Sequence, residues 1–373
     1  METVYQCYAS SAFGMEGLVA GELKRSGASD VSAENGGVCF SASAQKLFRL
    51  NMLMHFSDRL FIVLYRGLCR TFDQLFTLVH GLDWSAFFSG GESIDVTCKC
   101  TRSTLMSPSD CQSVAKKAII EKIRRETGRQ VFPETGSSLP VHLSIRNDEA
   151  MIMLNTSGKA LSRRGYRTWN GEAPLRETLA AALVELSGWR PGQPLHDPCC
   201  GTGTILAEAA LMAAGRAPGS DRTFAMESFS CFRNAAFDEI RQSVVSKADF
   251  TRVSCISGSD IDPEAIELAG RHMRQAGLGE DMVKLDRIAL QDLNLETENG
   301  VFICNPPYGE RLGDQKQCRA LYHDLFLLKN RHAGWRLCAI SSDPAFERSF
   351  GKKADKKRRL YNGRLECVYY IYN

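Results

Sequence analysis

The chain has 373 residues, of which 44% are apolar, 24% charged and 9% aromatic, an ordinary composition for a soluble globular protein. At about 100–200 residues per domain, this length predicts two or three domains and excludes a single small module. The sequence has no apolar run of the roughly 18 residues a membrane helix needs, and Met1-Glu2-Thr3-Val4-Tyr5-Gln6 has neither a basic stretch nor an apolar core. A cytoplasmic chain that neither spans a membrane nor is secreted is therefore expected.

Formal net charge is +3, from 46 basic and 43 acidic residues, too small by itself to argue for nucleic acid. Its distribution says more. Up to Thr168 there are 20 Lys+Arg against 16 Asp+Glu, which leaves 26 against 27 for the remainder, so the basicity sits in the first half. Fourteen cysteines run from Cys7 to Cys367 without a CxxC pair. The close pairs are Cys98-Lys99-Cys100 and Cys199-Cys200, neither of them a CxxC motif, so reduced thiols and no metal site are expected.

In chain order, Tyr5–Ala9 alternates weakly, Met15–Ser26 has helical spacing, Gly37–Phe40 reads as a strand and Gln45–Leu53 as a helix, together a small α+β unit. The apolar run Leu60–Tyr65 opens a second series: helix Phe72–His80, strand Ser93–Cys100, helix Pro108–Thr127, and strands Val141–Ile145 and Ala150–Leu154. The helix at Pro108 has the clearest start signal. Ser107 can cap, Pro108 fits the first turn and Asp110 complements the dipole. Cys111, Ala115, Ala118, Ile119 and Ile123 form its apolar stripe, with Lys117 and Arg124 together on the other side. The stretch from Ser157 to Arg167, which holds Arg163, Arg164 and Arg167, reads as a basic interdomain connector.

After a helical segment at Leu175–Leu186 the pattern becomes strictly β/α. It runs strand Leu195–Asp197, helix Thr204–Ala214, strand Val253–Ser257, helix Pro263–Ala276, strands Val283–Leu285 and Val301–Cys304, strand Leu337–Ile340, helix Pro344–Phe350, and terminal strands around Arg359–Tyr361 and Cys367–Tyr372. This predicts a doubly wound, mainly parallel α/β sheet with an antiparallel closing strand. Between Gly215 and Asp249 the pattern weakens, as an insertion would.

Three motifs fall where such a sheet binds ligands. Asp197-Pro198-Cys199-Cys200-Gly201-Thr202-Gly203-Thr204 stands at the first strand-to-helix turn, where glycines allow close backbone approach and helical N–H groups are free. Leu206 occupies the position of the third dinucleotide-motif glycine, which argues against an oxidoreductase, and no lysine follows Gly203 to make a P-loop. Gly258-Ser259-Asp260-Ile261-Asp262 ends the next strand, where one carboxylate can hold both hydroxyls of a ribose. Asp260 suits that role, while Asp262 before Pro263 is placed to cap the helix. Asp292, after Ala289-Leu290-Gln291, is expected at another strand end, able to accept from an adenine amine.

The third motif is the most specific: Asn305-Pro306-Pro307-Tyr308-Gly309-Glu310-Arg311-Leu312-Gly313, directly after Val301–Cys304. A nucleobase amine is a poor nucleophile because its lone pair is delocalised into the ring. The Asn305 side-chain oxygen and the Pro306 carbonyl can accept both amine hydrogens and turn the lone pair towards an electrophile. Pro306 and Pro307 have fixed φ and hold those acceptors still, and Tyr308 offers a face on which an extruded base can stack.

These three segments resemble those of class I S-adenosylmethionine-dependent amino-methyltransferases. With Arg164-Gly165-Tyr166-Arg167, Ala173-Pro174-Leu175-Arg176-Glu177-Thr178-Leu179 and Tyr361-Asn362-Gly363-Arg364-Leu365-Glu366-Cys367, the chain resembles the THUMP-domain RNA methyltransferases, specifically bacterial enzymes acting on guanine N2 of large-subunit ribosomal RNA. The resemblance implies a ferredoxin-like platform at 1–57, a THUMP domain at 58–160 and a Rossmann-like methyltransferase domain at 165–373, with a single activity. It implies S-adenosylmethionine as cofactor, held by Asp197, Gly201, Gly203, Asp260 and Asp292 with Thr178 lying over it, and a catalytic loop from Asn305 to Tyr308. Lys117, Arg124, Arg163, Arg164 and Arg167 gain a phosphate partner by the same implication. The loop alone does not choose among adenine N6, cytosine N4 and guanine N2, so an N6-adenine nucleic-acid methyltransferase and a non-catalytic RNA-binding protein are the alternatives.

Overall fold

The computed structural model describes residues 3–88, 92–128, 138–167, 175–308 and 314–373. Gly309–Gly313 of the third motif and Ala173-Pro174 lie outside them. The first half runs β1 (Val4–Ser10), α1 (Glu16–Arg25), β2 (Ser29–Glu34), β3 (Gly37–Ser43), α2 (Ala44–Leu53), β4 (Arg59–Leu68), α3 (Phe72–His80), β5 (Ser93–Thr101), α4 (Pro108–Thr127), β6 (Ser138–Arg146) and β7 (Glu149–Asn155). Its strands form one seven-stranded sheet in the order β2-β3-β1-β4-β7-β6-β5. β4 pairs with β1 through Cys7↔Ile62 and with β7 through Ile62↔Leu154, so one continuous strand joins the two α+β series. β2 has no counterpart among the expected elements, because Ser29–Glu34 is a polar edge strand without an apolar face. The start of α4 is as the sequence dictates. The Ser107 hydroxyl accepts from the Asp110 N–H, and Cys111, Ala115, Ala118, Ile119 and Ile123 are buried.

The second half runs α5 (Glu177–Ser187), β8 (Leu195–Asp197), α6 (Thr204–Ala213), α7 (Phe237–Val245), β9 (Ile256–Asp260), α8 (Pro263–Gln275), β10 (Val283–Arg287), β11 (Gly300–Cys304), α9 (Asp314–Arg331), β12 (Trp335–Ser341), α10 (Phe346–Phe350), β13 (Lys356–Asn362) and β14 (Leu365–Tyr372). The sheet order is β10-β9-β8-β11-β12-β14-β13. The first five strands are parallel, and β14 lies antiparallel between β12 and β13. This is the expected doubly wound sheet with an antiparallel closing strand. No described helix is long and apolar enough to cross a membrane.

Two details differ from expectation. The second strand of this half starts three residues later than Val253, because Cys255 adopts φ +58° and breaks the extended run. No strand runs up to Asp292: β10 ends five residues before it at Arg287, and Leu290 is a buried plug in the core formed with Tyr322, Leu325 and Leu328 of α9.

The patternless stretch from Gly215 to Asp249 is the clamp between the halves. The Phe48 ring of α2 stacks on Phe237 at 4.3 Å and meets Phe224 edge-on at 5.5 Å, and the Arg241 guanidinium sits 5.2 Å above Phe48. Gly219 N donates to Met52 O at 2.8 Å, so close that a Cβ on Gly219 would lie 2.7 Å from Met52 Cα. The Ser230 hydroxyl donates to Ala86 O at 2.8 Å.

A buried polar chain forms a second tie. Glu22 accepts from the His55 N–H at 2.9 Å and lies 2.8 Å from His55 Nδ1. Arg164 donates to His55 O at 2.7 Å and Leu161 O at 2.9 Å, and pairs with Glu208 of α6 at 3.3 Å. Tyr166 Oη donates to the same Glu208 at 2.9 Å.

Candidate functional site

The strand ends of the second sheet collect the first two motifs. Asp197, last residue of β8, is 1% exposed and accepts from the Cys199 N–H at 3.1 Å. Burial, with the nearby Asp260 carboxylate adding to it, holds the Asp197 carboxyl well above the ordinary range. Asp260, last residue of β9, accepts from Gly201 N at 2.8 Å and Asp262 N at 3.0 Å, so one carboxylate ties the two loops together. Asp262 caps α8, accepting from Glu264 N at 2.9 Å, as its place before Pro263 predicts.

The glycines have separate reasons. Both have positive φ, +50° at Gly201 and +79° at Gly203. A Cβ on Gly203 would meet Met273 Cε at 2.7 Å and Ala269 Cβ at 3.1 Å, so this glycine lets α8 pack on the turn. A Cβ on Gly201 would meet nothing within 4 Å, so this glycine faces open space at the strand ends. Ile261, between the two aspartates, is 68% exposed.

These groups suit an adenosine compound with a cationic amino acid tail. Asp197 and Asp260 are two carboxylates facing one turn, free N–H groups begin α6, and no ion pair to either aspartate is found among the described residues. An ammonium or sulfonium beside Asp197 would offset the cost that burial places on its ionised form.

The third motif follows β11. Tyr308 Oη donates to Asn305 Oδ1, a bond the sequence does not announce. Tyr322 Oη, from the buried face of α9, donates to Pro307 O at 3.0 Å and lies 3.4 Å from Ser341 Oγ of β12, so the loop is held from behind. In the strand beside it, His196 lies between Ser257 Oγ at 2.8 Å and Ser259 Oγ at 3.0 Å. Burial depresses its pKa to about 4. Between about pH 6.5 and 4 the unfolded chain therefore takes up a proton that the native chain refuses, and stability falls as pH falls through that window, by up to about 3 kcal/mol. Urea unfolding of the wild type and His196→Gln at pH 7 and pH 4.5 measures this, and the variant is expected to show the smaller loss.

Several expected site residues are placed elsewhere. Arg164 is 5% exposed and fully engaged with Glu208 and backbone carbonyls, so it is no phosphate contact. The Arg167 side chain, 6% exposed, is also engaged, donating to Leu175 O at 2.8 Å and lying 3.4 Å from Glu177. Sequence shows their charge but not the buried carboxylates that consume it. Lys117, Arg124 and Arg163 are exposed. The Thr178 hydroxyl donates to Asp58 at 3.1 Å, which also pairs with Arg176 at 3.1 Å, so Thr178 is spent on the junction between the halves. Asp292 is exposed in a turn, its N–H on Ala289 O at 3.0 Å.

Residues 164–371 match the model of the RMKL-like methyltransferase domain. The chain belongs to the RMKL-like methyltransferase family. Its first half agrees, with residues 6–61 matching the RlmL ferredoxin-like domain and 69–155 the THUMP domain. YpsC of Bacillus subtilis (strain 168), which carries an RNA methyltransferase name, is 36% identical over 99% of this chain and 96% of its own length. The ribosomal RNA large subunit methyltransferase K/L of Shewanella frigidimarina is 33% identical over 99% of this chain, which spans 53% of that protein's length. Among solved structures, SMU.472 complexed with SAH superposes with a TM-score of 0.92 at 37% identity, covering 100% of this chain and 98% of that one. A protein from Listeria monocytogenes described as a predicted N6-adenine-specific DNA methylase superposes equally well, with TM-score 0.92 and 37% identity over 100% of this chain and 96% of its own. This family member is thus an S-adenosylmethionine-dependent methyltransferase.

Proposed function

We propose that this methyltransferase modifies an exocyclic base amine of large-subunit ribosomal RNA, guanine N2, and that residues 1–57 and 58–160 grip the RNA while 165–373 carries out the chemistry. The observation that carries the reading is the placement of Asn305–Tyr308 after β11, in the same sheet whose β8 and β9 end in Asp197 and Asp260, on a chain whose first half matches a THUMP domain. When bound, S-adenosylmethionine supplies an electrophilic methyl group. Asp260 would accept from the ribose hydroxyls, Asp197 would offset the positive charge, Gly201 would leave room for the ligand at the turn, and Gly203 would keep that turn in shape by letting α8 pack against it. Asn305 Oδ1 and the Pro306 carbonyl accept the two hydrogens of the target amine and direct its lone pair. Tyr308 releases Asn305 and stacks on the base. The methylated amine is acidic enough to lose its proton to water, so no side chain is needed as general base.

Asp260→Ala is expected to weaken cofactor binding by about 1.5–3 kcal/mol. Asp260→Asn, which keeps one acceptor for the Gly201 or Asp262 N–H, should lose less. Calorimetry on the full chain decides, and undiminished affinity in the alanine variant refutes the ribose assignment.

Phosphate binding belongs to the exposed cations Lys117, Arg124 and Arg163. Replacing all three should flatten the salt dependence of RNA affinity by roughly 0.7–0.9 in slope for each phosphate no longer neutralised, and leave cofactor affinity unchanged. An unaltered slope removes them from the footprint.

The substrate class is tested by incubating the protein with methyl-labelled cofactor and, separately, large-subunit ribosomal RNA, transfer RNA and duplex DNA. Label in ribosomal RNA alone is expected. Label in DNA favours the N6-adenine reading that the Listeria monocytogenes neighbour's description suggests.

A further inference from the structure

Three sulfurs meet where α4 packs on β5. Cys98 and Cys100 stand two apart on the strand, so both point to the same face, and Cys111 in the first turn of α4 faces them. Cys98 Sγ lies 3.6 Å from Cys100 Sγ, and Cys100 Sγ lies 4.0 Å from Cys111 Sγ. All three lie within 4.8 Å of one another, the one such group of metal-ligating side chains among the described residues. A metal ion with metal–sulfur bonds of about 2.3 Å sets its sulfurs about 3.8 Å apart in a tetrahedron and about 4.0 Å apart in a trigonal plane. The backbone already holds the sulfurs at the spacing one ion requires.

Access and chemistry agree. Cys98 and Cys100 are partly exposed and Cys111 is buried, so two of the three sulfur-bearing residues are open to solvent. Three thiols without carboxylate or imidazole select soft d10 cations over magnesium or calcium. We propose that Cys98, Cys100 and Cys111 form a trithiolate site for one soft, thiophilic cation of the zinc(II) or copper(I) class, which staples β5 to α4. On binding, three S–H bonds break, three metal–sulfur bonds form and three protons pass to solvent, with no change of oxidation state. The absence of CxxC and of a nearby histidine concealed the site, because the third ligand comes from the following helix.

Cadmium is the probe, titrated into the reduced full-length protein while the ultraviolet thiolate-to-cadmium band is followed. The band should saturate at one equivalent and be displaced by zinc. Cys98→Ser and Cys100→Ser should each weaken binding by about tenfold or more and cut the band by about a third, while the Cys231→Ser/Cys255→Ser double variant, which removes the two exposed cysteines, should titrate as the parent does. Zinc should also raise the thermal midpoint of the parent and not that of Cys100→Ser, a readout on the folded protein itself. No saturable band at one equivalent overturns the proposal. So does a band of undiminished intensity and unchanged affinity in Cys98→Ser and Cys100→Ser, or one that disappears in the Cys231/Cys255 variant.

Discussion

Asn305→Ala lowers the single-turnover rate of methyl transfer by about 10²–10³, with cofactor affinity intact and RNA affinity nearly so, because the missing group orients the amine and contributes little to binding. The Tyr308 hydrogen bond to Asn305 Oδ1 sharpens this expectation. That bond turns and holds the oxygen, so the acceptor is preorganised. Tyr308→Phe keeps the stacking face and removes only the donor that the base amine must displace, and its rate should stay within a few-fold of the parent. Tyr308→Ala should lose about 1–3 kcal/mol of base stacking. Asn305→Asp still accepts both hydrogen bonds and should retain substantial activity. A single-turnover rate for Asn305→Ala within about threefold of the parent sinks the mechanism, and a large loss in Tyr308→Phe would give the hydroxyl a part in the chemistry.

Glu208→Ala is expected to destabilise the protein by about 3–5 kcal/mol, because it leaves the Arg164 guanidinium buried without its counter-charge and Tyr166 Oη without its acceptor. The effect belongs to the pair. An Arg164→Met/Glu208→Leu double variant, which removes both charges and keeps most of the volume, should be markedly more stable than either single variant. Urea unfolding of the four proteins completes the cycle. A loss below about 1 kcal/mol for Glu208→Ala, or additive losses in the double variant, would mean that the interdomain tie resides in the aromatic clamp around Phe48 alone.

The sheet of the second half and its strand-end motifs are legible in the sequence because a buried parallel strand, a Gly-rich turn and an acidic strand end each carry a local signature. Long-range features carry none. The stretch from Gly215 to Asp249 has no period because Phe224 and Phe237 pack against Phe48, far away in sequence. Arg164 looks like a connector cation until α6 brings Glu208 to it from 44 positions on. Helix α9 is absent from the expected elements although Cys318, Tyr322, Leu325 and Leu328, all buried, mark one face at spacings of four, three and three. Its hydrophilic remainder, which includes Lys316, Arg319, Asp324, Lys329 and Arg331, masks that stripe. Asp292 fails for the opposite reason: Ala289-Leu290 is apolar because Leu290 fills the core, and the same composition would suit a strand.

The identity of the methylated atom tests the account most directly. Large-subunit ribosomal RNA methylated by this protein with isotopically labelled cofactor is digested to nucleosides and resolved by mass spectrometry, with Asn305→Ala as control. The account predicts labelled N2-methylguanosine, strongly reduced in the variant. Label in N6-methyladenosine, on a ring carbon or on a ribose oxygen, or label undiminished in Asn305→Ala, would contradict it.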